Sequence, residues 1–158
     1  GGPPIRAMGL SRAARPDPHG DSHDVFQLLF EFETGILLTH RGKHLNNLTG
    51  FDVACEIQGE TGYGEIRYGG KAFLKSRDEG YSGEVLNPYE AGAVRNIAKF
   101  HTAVAQHDFS NDTVRRSIDG ALSTILGREA GRRRSEPTLA ELLKENAGLQ
   151  VNLAGLKE

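Results

Sequence analysis

The sequence predicts an α+β protein, an open, mostly antiparallel mixed sheet of about six strands with helices packed on one face. Three observations carry that expectation. Up to residue 75, apolar residues recur with a period of two, the spacing of half-buried strands. From residue 88 onward they recur at helical spacing. Strands therefore come first and helices after. A doubly wound nucleotide-binding fold would interleave the two.

The elements follow in order. Residues 5–10 make a first short strand, and 11–21, with Pro, Gly and Arg, a loop. Residues 23–33 give the strongest strand signal. Phe26, Leu28, Phe30 and Phe32 fall on one face, and Gln27, Glu31 and Glu33 on the other. Thr34-Gly35 is a tight turn into a strand over 36–40. The polar stretch 41–49 either continues that strand or forms a loop. A hairpin comes next. Val53, Cys55 and Ile57 alternate with Asp52, Ala54, Glu56 and Gln58, and Gly59-Glu60-Thr61-Gly62 is its turn. Gly64, Ile66 and Tyr68 then alternate with Tyr63, Glu65 and Arg67. Residues 71–75, anchored by Phe73, make the last short strand, and 76–88 reads as a long polar connection.

Val94, Ile97, Ala98, His101, Val104 and Ala105 form a helical stripe, with Pro88 and Glu90 suited to its first turn. Ser110 or Asn111 caps a second helix, whose stripe is Val114, Ile118, Ala121, Leu122 and Ile125. Thr138 caps a short third helix that runs to Asn146, with Gly148 as its stop. Leu149, Val151 and Leu153 alternate in a final extended piece. Nothing repeats internally.

A length of 158 residues suits a single domain, 1–158. Such a chain buries about 70% of its unfolded surface, so it needs no staple. With 19 basic and 21 acidic residues intermixed, the charge balance gives nucleic acid no foothold as a partner. Arg132-Arg133-Arg134 falls at a helix end, where cations face the dipole. The lone Cys55, on the apolar face of a strand, reads as a buried small hydrophobe. No internal disulfide is possible, which fits a reducing, cytoplasmic setting. No apolar run reaches membrane-spanning length, and Gly1-Gly2-Pro3-Pro4 lacks the features of a signal peptide. No membrane partner is expected. The chain does not begin with Met, as a piece of something longer would not.

Candidate chemistry is sparse. Gly62-Tyr63-Gly64-Glu65-Ile66-Arg67 approaches G-x-G-x-x-G but ends in Arg and lies between strands, not at a strand-to-helix turn. His19 and His23, and His40 and His44, are each four apart, beside Asp21 and Asp24 in the first case. In a helix that spacing clamps a metal; here both pairs lie in loop or strand. A small metal-dependent enzyme built on these pairs is one alternative. His101, on a helical stripe, reads as a core or interface histidine. No Ser–His–acid order or G-x-S-x-G elbow is present. Arg41-Gly42-Lys43-His44-Leu45-Asn46-Asn47 gathers cations, a histidine and carboxamides, groups that bind hydroxyls and carboxylates.

At the hairpin, Gly50-Phe51-Asp52 and Glu56-Ile57-Gln58-Gly59-Glu60-Thr61-Gly62 resemble a strand-turn signature of the Gfo/Idh/MocA oxidoreductases. Asp119-Gly120 with the following residues through Ala130, and Val151-Asn152-Leu153, are similar to that family's last helix and terminal strand. The resemblance spans nearly the whole chain. It implies a two-domain NAD(P)-dependent sugar or polyol dehydrogenase. Its first domain carries G-x-G-x-x-G and a Glu-Lys-Pro motif with the catalytic Lys. Its second is an α+β domain that lines the substrate pocket and makes the subunit contacts. The sequence resembles that second domain; Glu136-Pro137 lacks the Lys.

The resemblance thus implies no cofactor bound by this chain alone, with NAD(P) held by the first domain, and no redox chemistry by the chain itself. It places Thr49 and Phe51 where some members carry tyrosine hydroxyls. Phe51 lacks that donor, so Lys43, Asn46 and Asn47 are the expected polar contacts to a sugar or polyol. Gln27, Glu31, Glu56, Gln58, Glu65 and Arg67 lie on the polar sheet face, where a homodimer is expected. The apolar face of Val53, Cys55 and Ile57 is expected beneath the helices beginning near Pro88 and Asn111. A stand-alone dimeric ligand-binding or interaction module is the other alternative.

Overall fold

Seven strands precede three helices in a computed structural model of the chain, which describes residues 2–15, 21–45, 48, 50–84, 87–110 and 113–148. The strands are β1 (Arg6–Arg12), β2 (Val25–Glu31), β3 (Leu37–Lys43), β4 (Ala54–Gln58), β5 (Gly62–Arg67), β6 (Lys71–Ser76) and β7 (Gly80–Glu84). The helices are α1 (Pro88–Gln106), α2 (Thr113–Arg133) and α3 (Leu139–Glu145). The α+β expectation holds. The single sheet of about six strands does not. There are two sheets, one ordered β1-β2-β3 and one ordered β4-β5-β6-β7, and every pairing is antiparallel. The chain groups into two compact units. One comprises Gly1–Asn46 and Asp112–Glu158, the other Asn47–Asn111.

The first unit contains the core. In its register Leu28 lies opposite Gly9 and His40, and Phe30 opposite Ala7 and Leu38. Helix α2 packs on that face of β1 and β2. Ala7, Leu28, Phe30, Leu126 and Ala130 are buried together, with Phe26, Phe32, Leu139 and Leu142 packed against them. Burying a large side chain of this kind contributes about 1.5–3 kcal/mol relative to leaving it in water. The helix approaches closely because Gly127 and Gly131 present no Cβ. One at Gly127 would stand 2.5 Å from the Phe30 ring, and one at Gly131 2.7 Å from the Ser11 hydroxyl. On β1, Gly9 has φ +147° and its missing side chain leaves room for the Gln27 carbonyl.

This buried face differs from the expected one. Val114 and Ile118 of the predicted stripe are exposed, and the burial lies in the last turns of α2. Helix α3 is tied to the sheet through its approach: Leu139 N–H donates to the Ile5 carbonyl and Ala7 N–H to that of Pro137. Thr138 and Glu141 form a complete capping box at its start. Its C-cap is Asn146, in the left-handed region, so the helix stops two residues before the expected Gly148. The predicted final piece over 149–153 and the candidate cap Asn111 lie outside the described residues.

The second unit is the hairpin extended. Gly59 N–H donates to the Gly62 carbonyl across its turn. The stretch 76–88 is not merely a connection, because Gly80–Glu84 adds an edge strand to β6. Its Gly80, Ser82 and Gly83 weaken the strand signal, and pairing along β6 decides the outcome. Helix α1 starts as expected: Asn87 caps Glu90 N–H and Pro88 fills the first turn. It ends at His107, in the left-handed region.

What that helix does not do is cover the sheet. Ile57, Ile66, Leu74 and Tyr81 share one face by register and are exposed, as is Val53. Cys55, expected to be buried, is exposed too. On α1 the stripe of Val94, Ile97, Phe100 and Val104 is exposed, and so is His101, which is therefore no core histidine. Within the unit, the described tie from α1 toward the sheet is Tyr89 against Tyr68. No described helix is long and apolar enough to cross a membrane.

Candidate functional site

The expected substrate residues fall unevenly. Asn46, Asn47 and Thr49 lie outside the described residues. Lys43 ends β3 opposite Val25 and is exposed. Phe51 lies in the second unit, just before β4, and is 73% exposed. The Phe51 ring stands edge-on to Tyr68 at 5.0 Å between centroids, and Tyr68 in turn meets Tyr89 at 5.7 Å. The three rings form a row at the end of the sheet where β5 gives way to the turn at Gly69. Tyr68 owes its place to its backbone, whose N–H donates to the Val53 carbonyl. Burial pushes its phenol up from the ordinary value, and the hydrogen-bonded phenol of Tyr89 adds to the shift. Sequence reasoning missed Tyr68 and Tyr89, since only pairing across β4–β5 and the start of α1 brings them to Phe51.

Charges beside the row are already engaged. Arg67 pairs with Asp52 and with Glu65, at 3.3 Å from the latter's carboxylate. Asp52 first, then Glu65, hold the guanidinium firmly protonated. The Glu90 carboxylate accepts from the Asn87 amide at 2.6 Å. Along the first turns of α1, Asn87, Glu90, Ala91, Val94 and Arg95 line a shallow open depression of about 390 Å³.

The six expected interface residues occupy sheet faces as read from the alternation. Gln27 and Glu31 lie on the face of β2 opposite α2, among Met8, Leu10, Leu29, Leu37, Thr39 and Arg41. Arg6 and Glu31 pair on that face. Leu10 and Leu37 are exposed at 60% and 65%. In the other sheet Glu56 lies opposite Glu65, and Gln58 opposite Tyr63, with Arg67 next along the same face. There Tyr63 and Phe73 meet edge to face at 5.7 Å, and the Lys75 ammonium stands about 6 Å from each ring. So the charges read as intersubunit partners are satisfied largely within one chain.

Two further groups have other work. Asp24 is buried at the entrance to β2, where its carboxylate accepts from the N–H of Ala14 and of Arg15 at 2.7 and 2.9 Å. The Ala14 bond is the main reason its carboxyl is held below the usual range. His23 Nδ1 and the Ser11 hydroxyl are 2.6 Å apart. That is the spacing of a nucleophile and its base, but Ser11 is buried against Gly131 of α2. The pair fixes the loop to the core. Among the described residues, no three His, Cys, Asp or Glu side chains converge to hold a metal ion. His19 lies outside them.

Two arginines of the run at the end of α2 are paired. Arg132 meets Asp21, and Arg133 meets Glu129 and Glu145, which ties α2 to α3. No protein-family model matches the chain, and no curated protein does either.

Proposed function

We propose that the chain is the substrate-binding and oligomerisation domain of a Gfo/Idh/MocA-like, NAD(P)-dependent sugar or polyol dehydrogenase. The observation that carries this reading is the hairpin beginning at Gly50-Phe51-Asp52, set within an order of strands followed by helices. An α2-covered sheet with its other face open suits a domain that receives a partner on that face. Leu10 and Leu37 on the open face give it apolar character, and Gln27 and the Arg6–Glu31 pair its polar surround. A homodimer forms through the open sheet faces, with Gln27, Glu31, Glu56, Gln58, Glu65 and Arg67 at or near the contact. Lys43, Asn46, Asn47, Thr49 and Phe51 serve the ligand. NAD(P) is held by the domain that carries the dinucleotide motif and the catalytic Lys. By itself the chain moves no hydride. The exposed thiol of Cys55 fits a reducing, cytoplasmic setting.

The purified chain, titrated with myo-inositol and with glucose and assayed with NAD⁺ and NADP⁺, tests this directly. Saturable binding of a polyol without hydride transfer is expected. Turnover of the nicotinamide cofactor by this chain would overturn the redox-silent part. Failure to bind either polyol would overturn the ligand part.

A second reading, a stand-alone dimeric binding module, draws on the same open faces. The reading frame upstream of Gly1 separates the two. A strand–G-x-G-x-x-G–helix unit followed by Glu-Lys-Pro supports the dehydrogenase, and a start codon there supports the module.

A further inference from the structure

We draw no further inference here: the strongest candidate, the apolar face of the β4–β7 sheet around Ile57, Ile66, Leu74 and Tyr81, is open together with the stripe of α1, and nothing in the structure shows what covers it.

Discussion

Leu126 and Ile97 are both large aliphatic residues of a long helix, yet Leu126 is fully buried and Ile97 is 70% exposed. The two units differ in this way throughout. In the first, α2 closes on a sheet face and the core forms between them. In the second, both the sheet's apolar face and the stripe of α1 are open. Helix α1 has the more regular and more apolar stripe of the two, yet it is α2 that buries one, so an apolar stripe alone does not determine burial. What α2 has is a pair of glycines one turn apart that let Phe30, Leu28 and Ser11 come up to the backbone. Where α1 presents its stripe, the side chains are Val94, Ile97, Phe100 and Val104, with no such notch.

The largest expected effect breaks the first unit alone. Leu126→Ala should lower stability by about 2–5 kcal/mol, because it empties a fully buried site. Chemical denaturation reads it, and loss of protection should be confined to the amides of β1, β2 and α2 in hydrogen exchange. Next comes Gly127→Ala, which should cost about 1–3 kcal/mol through collision with Phe30 and Leu28. Gly120→Ala, with open space around it on the same helix, should instead gain about 0.5–1 kcal/mol. If both substitutions stabilise, α2 is not seated as described. Thr138→Ala removes the capping box of α3 and should cost about 1 kcal/mol by the same assay.

A pH series sharpens the comparison further. The Asp24 carboxyl is held below its ordinary value by the Ala14 and Arg15 N–H groups. A lowered folded-state pKa means the stabilisation is fully present above the unfolded value, about pH 4 for aspartate. It fades as pH falls through the lower folded value. Asp24→Asn should therefore narrow the gap in melting temperature between neutral and acid pH, and an unchanged acid limb would refute the role. The smallest effect belongs to the second unit: Ile97→Ser should change stability by no more than about 0.5 kcal/mol in the isolated chain.

Much of the fold was legible in the sequence. The alternation around Phe26, Leu28 and Phe30 marked β2 and its buried face, and Thr138 marked the start of α3. What was not legible depended on pairing and approach. Strand β7 has little apolar pattern of its own and exists along β6. The division into two sheets is a tertiary outcome that period-two runs do not encode. Gly127 and Gly131 look like helix-weakening residues until Phe30 and Ser11 are seen above them. The candidate site was half visible. Phe51 came from the resemblance, but Tyr68 and Tyr89 lie 17 and 38 residues further on (68 − 51 and 89 − 51), and only the fold joins them.

The proposed homodimer puts a second copy of the chain on the sheet face opposite α2. Sedimentation equilibrium of the purified chain, with Leu10→Glu beside it, tests that most directly. Leu10 is exposed on that face, so the substitution should leave the unfolding midpoint in place. The wild type should sediment as a dimer and Leu10→Glu as a monomer. A wild type that stays monomeric at its highest soluble concentration, or a dimer indifferent to Leu10→Glu, would contradict it.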